Sequence, residues 1–86
     1  MKLNENFLIH TSDGETLLVP TAEASFRGIV RCNKSVEAIL RCLERGADEE
    51  EIVRSLCDRF DGEESVIRAD VSSVLADLRG VGAIDE

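Results

Sequence analysis

The side chains able to act as nucleophiles or metal ligands are few and badly spaced for either task. Cys32, Cys42, Cys57 and His10 are the soft donors of the chain. A structural zinc site needs four converging ligands, usually supplied as close pairs. No two of these residues lie within five positions of each other, and there is no CxxC pair. Free cysteine packs as a small hydrophobe, and Cys32 and Cys57 fall on expected core faces. No metal site, catalytic thiol or disulfide is expected. The carboxylates are plentiful but cluster at helix starts, as Glu49, Glu50 and Glu51 and again as Glu63 and Glu64. Negative charge there is worth about 0.3–1 kcal/mol against the helix dipole, which explains those positions without any reaction. The chain also lacks a Gly-rich phosphate loop, a GxSxG elbow and a Cys/His pairing. The reading is therefore non-enzymatic, with no cofactor.

The elements that would position a site change character near Asn33. Phe7-Leu8-Ile9-His10 reads as a strand, Asp13-Gly14 as a hairpin turn, and Glu15 to Val19 as the return strand, stopped by Pro20. Thr21 to Ser25 is a polar loop or one helical turn. Phe26 to Cys32 reads as a third strand, with Val30 and Cys32 on one face and Ile29 and Arg31 on the other. Short connections between successive strands imply an antiparallel meander.

Three helices follow. Asn33 caps the first, which carries Val36, Ile39, Leu40 and Leu43 on one side and stops at Gly46. Asp48 and Glu51 form a capping box for the second, whose apolar stripe is Ile52, Val53, Leu56, Cys57 and Phe60. Asp61-Gly62-Glu63-Glu64 separates and caps the third, where Ile67, Val71, Val74, Leu75 and Leu78 share an arc that ends at Arg79-Gly80. Val81 and Ile84 fold back as a short terminal segment. The fold class expected is α+β, a winged helix-turn-helix with a three-stranded antiparallel sheet followed by three helices.

A chain of 86 residues supports one domain, spanning 1–86, and buries roughly 60% of the surface its unfolded form exposes. Eighteen acidic against ten basic side chains leave a net charge of −8. Phosphate binding needs the opposite sign. The third helix would be the DNA reader of a helix-turn-helix, yet its Arg68, Ser72 and Arg79 on one shoulder are matched by Asp70 and Asp77 on the other. A small winged-helix DNA-binding regulator is the alternative reading, and no nucleic acid is expected as partner. With three Phe and no Trp or Tyr, stacking platforms for single strands are missing too. No apolar run approaches the ~20 residues of a membrane span, and the N-terminal segment does not read as a signal peptide. Unpaired cysteines then imply the cytoplasm.

What is left is a surface. A three-stranded meander has two edges with unpaired backbone groups. The segment Arg27 to Cys32 has no proline and only Arg27 and Arg31 as charges, so a second extended peptide could add there; the competing reading is an ordinary edge shielded by loops. A free edge also leaves open a monomer or a weak homodimer.

Val19-Pro20, then Phe26-Arg27-Gly28-Ile29-Val30-Arg31-Cys32-Asn33 leading into a helix, resembles the PqqD-like proteins. Asp48-Glu49-Glu50-Glu51-Ile52-Val53 and Arg68-Ala69-Asp70-Val71, running on to Leu78 and Gly82, extend the likeness from about Phe7 to Ile84. The resemblance implies a RiPP recognition element, which binds the leader of a ribosomally made precursor peptide and presents it to a modifying enzyme, often a radical SAM protein. It further implies that the leader pairs with the third strand, at Gly28, Ile29, Val30, Arg31 and Cys32, and packs on the third helix. Arg68, Val71 and Leu75 are the expected helix wall, with Asp70 the alternative if the other shoulder lines the groove.

Overall fold

The computed structural model describes residues 1–86. The elements in chain order are β1 (Lys2–Leu3), β2 (Phe7–Ser12), β3 (Glu15–Pro20), β4 (Val30–Cys32), α1 (Lys34–Arg45), α2 (Glu49–Arg59), α3 (Glu64–Gly80) and β5 (Ile84–Asp85). Asp13 and Gly14 both adopt positive φ, 52° and 76°, as a two-residue turn matched to strand twist requires. The hairpin they close runs from Ser12↔Glu15 to Phe7↔Pro20, and β4 adds antiparallel to β3 through Thr16↔Cys32, Leu17↔Arg31 and Leu18↔Val30. The sheet order is β2-β3-β4. The result is the expected α+β arrangement of a three-stranded antiparallel sheet and three helices, consistent with a winged helix-turn-helix.

Helix ends follow the local chemistry. The Asn33 side chain accepts from the Val36 N–H at 2.8 Å, and the Gly46 N–H donates to the Leu43 carbonyl beyond the end of α1. Asp48 and Glu51 make the reciprocal capping box of α2, at 2.8 and 3.1 Å. Such a cap is typically worth ~1 kcal/mol. The third cap differs from expectation. Glu63 stands at the N-cap of α3 without a side-chain hydrogen bond, and Gly80 belongs to the helix rather than ending it.

Leu18, Ile39, Leu40, Leu43, Ile52, Val71 and Leu75 are fully buried and join the sheet's inner face to all three helices. Each Leu or Ile contributes about 1.5–3 kcal/mol by leaving water. Cys42 is the buried thiol, whereas Cys32 and Cys57 are only half-buried, as are Val36, Phe60 and Val74 at the margins of their stripes.

Two departures concern the sheet. Instead of spanning Phe26 to Cys32, the third strand of the meander is three residues long. Phe26 turns its ring back over Gly28, so close that a Cβ there would lie 2.7 Å from the ring Cζ. A glycine weakens a strand and marks such close approaches, and the chain enters the ladder only after it. The other departure is a second, two-stranded sheet, β1-β5, which pairs Lys2↔Asp85 and Leu3↔Ile84. The terminal fold-back expected of Ile84 is thus a strand, and its partner is the N-terminus.

Candidate functional site

Two features of the surface are unsatisfied in a way that could receive another molecule. The first is β4. Its inner edge is paired to β3 and its outer edge has no strand partner. Successive N–H groups of a strand point to opposite edges, so the open side presents backbone donors and acceptors. Val30 and Cys32 turn half-buried side chains toward the core, Arg31 is exposed, and Ile29 just ahead of the strand is 63% exposed. Arg31 meets Glu15 at 3.1 Å, both largely in solvent, a pair worth little by itself.

A part-buried contact tethers the neighbouring strand, β3, to α1. The Thr16 hydroxyl, on the β3 residue opposite Cys32, donates to Glu37 Oε2 at 2.9 Å. Glu37 in turn approaches Arg41 at 3.9 Å, and Arg41 donates to Thr11 Oγ1 at 3.5 Å on β2. Burial pushes the Cys32 thiol above its usual range and nearby Glu37 adds to the rise, against a hydrogen bond with the Leu18 backbone. The thiol therefore stays protonated near neutral pH, unlike a nucleophilic cysteine. All three cysteines are free, and no group of three or more His, Cys, Asp or Glu could hold a metal ion. No helix is long and apolar enough to cross a membrane.

The second feature is a cavity of about 220 Å³ where α1, the end of α2 and α3 meet. Ser35, three residues past the end of β4, and Ile39 form its α1 side; Leu56 and Phe60 come from α2 and its cap. The α3 wall is Val66, Ile67, Asp70 and Val74, and Asp61 and Gly62 close the loop side. Val66 is 57% exposed, an apolar side chain standing in solvent at the cavity. Residues 66, 70 and 74 follow one another at four-residue spacing, which stacks them on one helix face.

The expected helix wall is distributed differently. Val71 and Leu75 are fully buried, so they form the floor of the core rather than an accessible wall. Arg68 turns toward α2, where its guanidinium pairs with both carboxylate oxygens of Glu50 and with Glu64 Oε2 at 3.3 Å. The hydrogen bond to Arg68 holds the Glu50 carboxyl below the usual range, and the two glutamates raise Arg68 above its own. It is Asp70, the alternative, that lines the cavity. Val66, Val74, Phe60 and Ser35 were not anticipated at the site. Val66 could have been found as an apolar residue outside the core arc of α3.

The PqqD model, described as "Coenzyme PQQ synthesis protein D", matches residues 15–84. Among solved structures, the chain resembles one titled "TbiB1 in Complex with the TbiA(beta) Leader Peptide", with a TM-score of 0.82 at 20% identity, over 99% of this chain and 95% of that one. It also resembles "Lasso peptide synthetase B1 complexed with the leader peptide", with a TM-score of 0.77 at 15% identity, over 95% and 93% of the two chains. At such identities the likeness concerns the fold. No curated protein sequence matches the chain.

Proposed function

The chain belongs to the PqqD family, and on that premise we propose that it is a RiPP recognition element that works as a single domain, 1–86. It binds the leader of a ribosomally made precursor peptide and presents it, in the cytoplasm, to a separate modifying enzyme of the radical SAM class. The protein itself performs no chemistry. The observation that carries the reading is the open edge of β4, followed within three residues by an apolar cavity walled by α3. Two proteins of the same fold were determined with leader peptides, which supports a peptide as the occupant.

In this reading the leader adds as a strand beside Gly28, Ile29, Val30, Arg31 and Cys32, and backbone hydrogen bonds supply affinity while alternate side chains supply specificity. Alternation along the added strand sends one set of its side chains toward the helices and the other toward Ile29 and Arg31. Val66, Asp70 and Val74 are the helix wall it meets. Val71 and Leu75 hold that wall from beneath, and Arg68 fixes α3 against α2. The working form is a monomer or a weak homodimer, because a strand taken up by self-pairing could not accept a leader.

The test is titration calorimetry with the leader of the precursor encoded beside the gene, on the parent and on Val30→Pro and Arg31→Pro. Of these two neighbours, one N–H donates into β3 and the other faces the open edge. Proline at the inward position unfolds or weakens the sheet. At the outward position it leaves the fold intact and reduces leader affinity at least tenfold. Unchanged affinity in a folded variant at the outward position would remove strand addition on β4.

A further inference from the structure

The charges around the cavity are of one sign and are unspent. Asp61 and Asp70 contribute to its wall, and no lysine, arginine or histidine does. Neither carboxylate takes part in any ion pair or side-chain hydrogen bond, and Arg68, two residues before Asp70 on α3, is engaged instead with Glu50 and Glu64. Asp77, one turn beyond Val74 on the same flank of α3, is also exposed and unpaired. Beside these carboxylates and Ser35 the wall is mostly apolar, with Ile39, Leu56, Phe60, Val66 and Val74. At about 220 Å³ the space exceeds the roughly 150 Å³ of an apolar cavity that accepts benzene, so it has room for one branched aliphatic or phenyl group.

We infer that the groove selects a precursor segment in which a large apolar residue stands close to a lysine or arginine, the apolar group filling the cavity and the cation facing Asp61 and Asp70. This deepens the leader-binding reading and rests on it. A cationic segment gains twice. Its charge meets unpartnered carboxylates at the rim, and the field of a chain carrying −8 draws it in from solution. An acidic segment would face repulsion from the same groups, which makes the wall a filter as well as an anchor.

The probe is the fluorescein-labelled leader of the precursor encoded beside the gene, together with a version in which every Lys and Arg is replaced by Gln, read by anisotropy at 50 and 500 mM salt. The parent protein is compared with Asp61→Asn/Asp70→Asn and with Glu5→Gln/Asp13→Asn, which removes the same charge at exposed residues outside the cavity lining and on other elements. All of these positions are exposed, and circular dichroism checks that each variant folds. Exposed ion pairs of this kind are worth a few-fold each. The cavity variant is therefore expected to bind the native leader about five- to tenfold more weakly, with a flatter salt dependence, and to bind the Gln leader no worse than the parent does. The control variant keeps most of the native affinity. Equal effects of the two double variants, or tight binding of a leader with no Lys or Arg, would overturn the inference while leaving leader binding in place. Absence of any binding by the native leader to the parent would overturn both together.

Discussion

Replacing Thr16 by Val removes a buried hydroxyl that ties β3 to α1. Thr16 is 5% exposed and donates to Glu37 Oε2 at 2.9 Å. The isosteric methyl keeps the packing but leaves the carboxylate without that donor. Hydrogen bonds to charged groups contribute about 1.5–3 kcal/mol net. The Glu37 side chain is 33% exposed and keeps Arg41 at 3.9 Å, so water and the guanidinium compensate part of the loss. The expected cost is about 1–1.5 kcal/mol, seen as a lower urea midpoint with an unchanged slope and a fall in Tm of roughly 4–8 °C per kcal/mol. Glu37→Gln retains an acceptor and should cost less. In a double-mutant cycle Thr16→Val and Glu37→Ala should couple by about 1 kcal/mol. A Thr16→Val protein as stable as the parent, or a coupling near zero, would refute the tether and with it the account of how β3, the strand that carries β4, is held against α1.

Other consequences are simpler to check. Because the Cys32 pKa is raised on folding, the thiol's stabilising contribution is fully present below its unfolded value near 9 and is lost as pH rises through the higher folded value; denaturation series between pH 8 and 11 should therefore show a steeper alkaline decline for the parent than for Cys32→Ser. Gly28→Ala places a methyl where the Phe26 ring lies, so the ring must swing out. The entropy gained over glycine offsets much of the cost of moving a half-buried ring, so stability is expected to change by less than about 1 kcal/mol while the Phe26 ring resonances shift, and an unmoved ring would contradict the close approach.

Local signals in the sequence were strong where a few residues decide the geometry. Asp13-Gly14, Asn33, and Asp48 with Glu51 each specify a turn or cap through their own side chains or φ preferences, and each is found where expected. The β1-β5 pair was not legible, because two-residue strands at opposite ends of the chain carry no periodicity and meet only once the helices have packed. The third strand reads longer in the sequence than it is in the fold for a related reason. Alternation from Phe26 to Cys32 is real, but the contact of Phe26 with Gly28 is a matter of tertiary packing. For the candidate site, the core arc of α3 was readable while the shoulder facing the cavity was not. That choice depends on where α2 lies, and the partnership of Glu50 with Arg68, eighteen residues apart, is what turns Arg68 away and leaves Asp70 at the cavity.

The central claim concerns one edge of one strand, and the sheet offers an internal control in its other edge, β2. Residue-resolved amide hydrogen exchange, with and without the leader of the precursor encoded beside the gene, tests it directly. Strand addition on β4 predicts new protection at the outward-facing amides among Val30, Arg31 and Cys32, with no change along Phe7–Ser12. Protection appearing on β2 instead, or β4 amides that exchange equally fast in the bound protein, would contradict it.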